Sequence, residues 1–318
     1  MATAGVLLAV SSSCLAGDTA QLKLRDDFEL GKFDPQGGLY YKENFEQSAG
    51  TVRFQSEDVR EGKGALALTL KSLCTASDQG CSERAEVWER PEVLVPYDAP
   101  VWYGFSMKLA DPIPEDDHRY LMAQWKRQMN SQAEKGYSPF LAVRLDKGKL
   151  TITVETDEVT TYPLGTTERP TACKKGETLV NNRPHDGQTR ALIAWEAGME
   201  LSAWRYFNGC TPDIAVTFHE GLPSAASGWI DFAFFIQTGP RGGGLIDIVA
   251  NGKRIATAEG HIGHEGPGLL DKQYFKFGPY RAGREGEWTV LYDNFRRGPK
   301  CSDVTDAPVC SSFSMAGQ

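Results

Sequence analysis

The chain has 318 residues, 41% of them hydrophobic and 10% aromatic, enough for one large all-β domain or two ordinary ones with a sizeable core. Its formal charge of −8 argues against nucleic acid as a partner and gives no long-range attraction for a polyanion, so an acidic ligand needs a local basic cleft. No segment reaches the roughly 18 apolar residues of a spanning helix, so no membrane partner is expected, and the expected state is a monomer.

Met1 to Gly17 carries no charge, with a short apolar run from Val6 to Val10 and small residues up to Gly17. This is the pattern of a secretory signal without a basic start, and it predicts a secreted or periplasmic protein. Residues 18–298 then read as a single domain. Ala65 to Leu70 alternates as a strand. Arg84 to Arg90 places Arg84, Glu86, Trp88 and Arg90 on one face, and Met122 to Gln128 places Gln124, Lys126 and Gln128 on one face. Phe140 to Leu145 and Leu150 to Val154 flank Asp146-Lys147-Gly148 as a hairpin, and Trp229 to Ile236 is a mostly apolar strand. Leu245 to Ala250 and Arg254 to Ala258 flank Asn251-Gly252, a strong hairpin signal. Glu287 to Arg296 closes the domain. The pattern is antiparallel, without strand–helix alternation, and predicts an all-β two-sheet sandwich of jelly-roll type.

Pro163 to Gln188 is polar and does not fit a sheet, so it is expected to be a long loop, either functional or a disulfide-anchored insertion. The tail from Pro299 to Gln318 is small and polar. Six cysteines remain after the signal-like stretch, an even number that suits an oxidising compartment. The short separations Cys74–Cys81 and Cys301–Cys310 suggest local bridges, which leaves Cys173–Cys210. No CxxC pair points to zinc.

The most informative stretch is Tyr274-Phe275-Lys276-Phe277-Gly278-Pro279-Tyr280. Alternation puts Phe275 and Phe277 toward a core and Tyr274, Lys276 and Tyr280 on the other face. An ammonium beside the Tyr280 phenol would stabilise the tyrosinate, a competent base. Pro279 demands an edge or a bulge. If the three polar-faced strands share a sheet, its open face gathers Arg84, Gln124, Lys126, Lys276 and Tyr280, with Trp88 alongside. Arg and Gln can bind a carboxylate, Lys adds positive charge, Tyr can move a proton and Trp can stack on a pyranose ring. The expected partner is an acidic polysaccharide.

Arg84-x-Glu86, the Gln124-Trp125 strand, the YFKxGxY pattern of Tyr274 to Tyr280, and Leu291 to Gly298, in this order, resemble the β-jelly-roll polysaccharide lyases, a group that includes heparin lyase I-like enzymes, glucuronan lyases and jelly-roll alginate lyases. The likeness runs from about Asp27 to Gly298. It implies that Tyr280 is the catalytic tyrosine, that Lys276 assists it electrostatically, and that Arg84 and Gln124 neutralise the uronate carboxylate, with Glu86 and Trp88 also on the substrate side. Many relatives carry Gln-x-His where this chain has Gln124-x-Lys126, so Lys126 is expected to act there as a charge. None of His185, His219, His261 and His264 can be assigned as a base from sequence.

The implied reaction is β-elimination across a 4-linked uronate. Pairing the carboxylate with Arg84 and Gln124 stabilises the enolate-like intermediate, and Tyr280 takes the C5 proton and then protonates the leaving O4. No cofactor is required for that chemistry. The resemblance implies a possible structural Ca²⁺, for which Asp293 with Asp27 or Glu29 could supply oxygen ligands. Two other classes compete: a non-catalytic carbohydrate-binding sandwich and a jelly-roll glycoside hydrolase. The hydrolase needs a carboxylate pair, whereas Glu86 and Glu89 point to opposite faces of a strand.

Overall fold

The computed structural model describes residues 23–44, 46–74, 81–163 and 172–313. The signal-like stretch Met1 to Gly17 lies outside the described residues. Two antiparallel sheets face each other. The larger has twelve strands, with Tyr162–Pro163, Gly209–Thr211, Thr178–Arg183, Gln188–Trp195, Lys149–Asp157, Leu141–Asp146, Tyr120–Met129, Leu269–Ala282, Val87–Glu89 and Leu39–Tyr41 side by side. Ser82–Arg84 and Val95–Pro96 also pair with Leu269–Ala282. The smaller has nine, with Ile214–Phe218, Lys253–Ile262, Gly239–Ala250, Ile230–Gln237, Val101–Leu109, Trp288–Gly298, Ala65–Leu70 and Gly50–Gln55 in order, and Leu24–Asp26 against Trp288–Gly298. This is the antiparallel jelly-roll sandwich expected from the alternation.

The alternation decides which side chains fill the space between the sheets. Phe275 and Phe277 both enter the core and pack on Phe295, Trp125 and Tyr292. Both hairpin signals hold. Lys147 and Gly148, and Asn251 and Gly252, have positive φ, the geometry that fits a two-residue turn to twisted strands. One ion pair is sealed in the core: Glu89 and Arg297 are both 0% exposed and join the two sheets. Glu89 also accepts the Phe275 N–H at 2.7 Å, and burial pushes its carboxyl above the usual range against the pull of Arg297.

The expectation of a long loop from Pro163 to Gln188 is corrected. Thr178–Arg183 is a strand, paired with Gln188–Trp195 on one side and Gly209–Thr211 on the other. Val180 enters the main core while Leu179 packs outward with Cys173 and Cys210. The polar residues around this single apolar pair hid a strand whose other face meets a second, smaller apolar cluster. The three predicted bridges, Cys74–Cys81, Cys173–Cys210 and Cys301–Cys310, are formed. The tail is anchored as well as bridged: Val304 and Val309 bury themselves against Trp102 on the outer face of the smaller sheet.

Candidate active site

The motif strands are neighbours. Tyr280 is opposite Arg84 and Leu121, and Lys276 is opposite Trp88 and Gln124. The outer face of the twelve-stranded sheet therefore collects Arg84, Gln124, Lys126, Lys276 and Tyr280, as the shared alternation requires. The bulge demanded by Pro279 is present, as a register shift between Phe277 and Tyr280. Gly278 has φ +126°, and a Cβ there would lie 2.0 Å from the Ala85 carbonyl oxygen. Glycine is thus what lets Leu269–Ala282 close on the short linker between Arg84 and Val87, with Ala85 donating its N–H to the Pro279 carbonyl at 3.0 Å.

The centre of the cluster is Glu86, which is fully buried. It accepts from Gln124 Nε2 at 2.5 Å, Lys276 Nζ at 2.9 Å and Arg84 Nη1 at 3.2 Å. This revises two sequence expectations. Glu86, expected on the substrate side, is buried beneath donors that include Arg84, Gln124 and Lys276. The ammonium of Lys276 is committed to Glu86, and the cation on Tyr280 is Arg84, whose guanidinium lies 3.9 Å from the ring centroid. Arg84 is also paired with Glu46 at 2.8 Å.

Trp88 is revised likewise. Its ring stacks on Tyr274 at 5.1 Å and 13°, and the ammonium groups of Lys42 and Lys276 stand 3.9 Å and 4.6 Å from its centroid. The platform expected for a pyranose is already occupied by protein groups. Trp88 instead braces Tyr274 and Lys276.

Crowding of cations tunes the lysines. Burial lowers Lys126 to about 8, with Arg84 adding to the shift and Glu86 and Glu155 opposing it. Burial lowers Lys276 to about 7, Arg84 and Lys126 adding to the shift against Glu86. Arg84 moves the other way: Glu86, Tyr280 and Glu46 outweigh burial and hold its guanidinium above the usual range. Lys126 makes no hydrogen bond or ion pair among the described residues. It is a half-buried ammonium open to a ligand.

Arg119 was not legible in the sequence. Its guanidinium lies 4.8 Å from the Tyr280 centroid, and its buried Nε has no hydrogen-bond partner. It sits one residue before the Tyr120–Met129 strand, outside any alternating pattern. Among the described residues, no histidine hydrogen-bonds or ion-pairs with Arg84, Gln124, Lys126, Lys276 or Tyr280. His264 is buried against Asp157, His118 lies near Asp116, His219 lies near Thr257, and His185 is exposed in a short 3-10 turn. No free carboxylate pair suits a hydrolase here, since Glu86 is held by three donors and Glu89 is sealed in the core.

Asp293, expected to ligate calcium, is anchored by backbone donors. Its carboxylate accepts the backbone N–H groups of Arg60, Glu61 and Asn294 at 3.0, 3.2 and 2.7 Å. Glu29 accepts from Lys63 and Gly64, and Asp27 pairs with Arg25. Burial pushes Asp293 up to about 6, and the Glu29 carboxylate adds to that upward shift. Among the described residues, the one grouping of three candidate metal ligands is Cys173, Glu177 and Cys210, whose thiols are joined as a disulfide. A cavity of about 740 Å³ lies on the smaller sheet beside Arg60, Asp231 and Arg296 and is lined by none of Arg84, Gln124, Lys126, Lys276 and Tyr280. The motif residues occupy an open face, which suits a polymer better than a closed pocket does.

A family model described as "Polysaccharide lyase" matches residues 28–296. No curated protein matches the sequence. Among solved structures, the endo-beta-1,4-glucuronan lyase from the fungus Trichoderma reesei shares the fold with TM-score 0.56 and 15% identity, covering 83% of this chain and 92% of that chain. The cellulose induced protein Cip1 gives TM-score 0.46 and 12% identity over 87% of this chain and 97% of that chain. A family 7 alginate lyase, A1-II', gives TM-score 0.40 and 12% identity over 77% and 82%.

Proposed function

The chain belongs to the polysaccharide lyase family, and from that premise we propose that it cleaves a uronic-acid polymer by β-elimination, with glucuronan-type linkages first and mannuronate-type, alginate-like or heparin-like substrates next. The observation that carries this reading is the meeting of Tyr280 with two guanidiniums, Arg84 at 3.9 Å and Arg119 at 4.8 Å, beside the unpaired ammonium of Lys126. An overall acidic protein concentrates positive charge around one phenol on an open sheet face. The glucuronan lyase that shares the fold adds support for the substrate.

In this mechanism the uronate carboxylate sits against Arg84 and Lys126, with Gln124 behind them. Arg84 and Gln124 are held in place by Glu86 before substrate arrives, so charge developing on the carboxylate meets donors that need no reorganisation. Tyr280 removes the C5 proton and returns it to the leaving O4. Arg84 and Arg119 stabilise the phenolate that exists before the first transfer and is restored by the second. The carbon–oxygen bond at C4 breaks, a C4=C5 double bond forms, and water is not consumed. Three disulfides fit action outside the cell, on a polymer that is met there.

One group that serves as both base and acid must reach the proton and the leaving oxygen from one side of the ring. The C5 hydrogen and O4 share a side in D-glucuronate and D-mannuronate, and lie on opposite sides in L-guluronate, L-iduronate and D-galacturonate. The test is a screen of glucuronan, polymannuronate, polyguluronate and heparan sulfate, read by the ultraviolet absorbance of the new double bond. Cleavage of the first two is expected. A clear preference for guluronate or iduronate would require a second base, and Lys126 is then the group to examine.

A further inference from the structure

The same sheet face carries a second basic cluster beyond Lys126. Its members come from four consecutive strands: Arg144 from Leu141–Asp146, Glu155 from Lys149–Asp157, Arg190 from Gln188–Trp195 and Arg183 from Thr178–Arg183. Their sequence neighbours Val143, Val154, Ala191 and the like fill the core between the sheets, so the alternate side chains face outward with Gln124 and Lys126. Glu155 collects all three guanidiniums: Arg190 Nε at 2.6 Å and Arg144 Nη2 at 3.1 Å on one oxygen, and Arg183 Nη2 on the other. Asp186 lies 3.4 Å from Arg183. Three cations against two anions leave one positive charge in excess.

The electrostatics agree. Burial opposes ionisation of Glu155, yet Arg190, Arg183 and Arg144 hold it at about 2. Burial lowers Arg144 to about 9, with Arg190 and Arg183 adding to the shift against Glu155. Arg183 is the member that reaches solvent, with its side chain 22% exposed, and its buried Nε lacks a hydrogen-bond partner. Lys126 is influenced by Glu155, so the two basic regions are continuous.

Just past this cluster the face is closed. Leu192, on the same outward side of Gln188–Trp195, is covered by Trp204 and Phe207, and Cys210 in the same cluster is tied to Cys173. Tyr206 of this covering segment lies over Arg190, and Arg205 reaches across to Asp117 at 2.8 Å. Arg190 thus stands between Arg183, opposite Gln188, and the covered Leu192, so a polymer crossing the strands from Tyr280 over Lys126 reaches Arg183 with the wall along its flank.

We propose that Arg183, backed by Arg144 and Arg190, is a second carboxylate-binding subsite that holds a uronate distant from the cleaved linkage, and that the Trp204–Phe207 segment walls the binding track on the side of Arg190 away from Arg183. The proposal rests on the uronan lyase reading above. Strands are spaced by about 4.8 Å, and a 1,4-linked pyranose unit advances by about one such step. The strands of the cluster are two to five steps from that of Tyr280, which places it roughly two to five sugar units from the reacting one.

The test compares wild type with Arg183→Ala and Arg183→Lys on size-fractionated oligomers of the uronan that wild type cleaves. Arg183→Ala leaves Glu155 with two arginine partners, and an unchanged melting temperature confirms that it folds. The expected result is a rise in KM of about tenfold on the long oligomers with kcat nearly unchanged, no change on the shortest oligomer that is cleaved, and partial recovery by Arg183→Lys. A KM that is unaffected at every length, or raised equally at every length, overturns the subsite. If wild type cleaves no uronan, the lyase reading fails separately. The subsite is then read by the slowing of the protein in gels containing polyglucuronate or alginate relative to polymer-free gels, which should be smaller for Arg183→Ala than for wild type, and equal slowing overturns it.

Discussion

Lys126→Arg separates a charge from a base at the position where many relatives carry histidine. Burial and then Arg84 bring the Lys126 ammonium to about 8. Roughly half of it is neutral at that pH, and about nine-tenths is neutral one unit higher. Arginine at this position stays protonated throughout. If Lys126 serves as a positive charge on the uronate, wild-type kcat/KM loses about tenfold for each pH unit above about 8, while the variant is spared that loss. The useful quantity is the ratio of variant to wild type, because ionisations that do not couple to Lys126 cancel from it. We expect a variant with partial activity near neutrality whose ratio to wild type climbs roughly tenfold between about pH 7 and pH 9. Initial rates of ultraviolet-absorbing product across that range, at substrate concentrations well below KM, supply the measurement. An inactive Arg variant, together with wild-type activity that rises through about pH 8, would refute the reasoning and make Lys126 the proton acceptor.

Tyr280→Phe should lose at least ~10²-fold in kcat, the lower end for general acid–base catalysis, while retaining polymer binding; near-normal turnover would remove Tyr280 as the catalyst. Arg297→Ala should cost about 3–5 kcal/mol in urea unfolding, because it strands the Glu89 carboxylate in the core. The double variant Glu89→Leu/Arg297→Met should recover much of that loss, and a harmless single variant would contradict the buried pairing. Thiol titration of denatured, unreduced protein should find essentially no free thiol among residues 18 to 318, and several free thiols would contradict the disulfide-bonded, extracellular reading.

Most of the fold was legible because the strands keep strict alternation. The faces of Tyr274 to Tyr280, Arg84 to Arg90 and Met122 to Gln128 could be assigned from period alone, and Glu89 fell on the face opposite Glu86, as the core pair confirms. What alternation cannot supply is the identity of a side chain's partner across strands. Lys276 and Tyr280 share a face, but whether a carboxylate from the Arg84–Val87 linker intercepts the ammonium depends on register and on the bulge at Gly278. Arg119 lies outside any periodic segment, so nothing local marks it. Thr178–Arg183 was concealed because its outward neighbours are polar and its apolar partners, Trp204 and Phe207, arrive from a distant segment. The occupied faces of Trp88 follow from Lys42 and Tyr274, which only the pairing of three strands brings together.

Glu86 has a consequence for how this site can be dissected. One carboxylate serves Arg84, Gln124 and Lys276 simultaneously, so the three positions are not independent variables. Replacing any one leaves Glu86 short of a donor and shifts the other two, and a second replacement then removes something already disturbed. Losses from single variants should therefore sum to more than the loss from the combined variant, the signature of residues that share a network. A table of single substitutions would overstate each residue's own share in the chemistry, and a change from Lys276 to another residue would be tolerated or not according to what already stands at positions 84 and 124. The unit on which substitution acts here is the carboxylate together with its three donors.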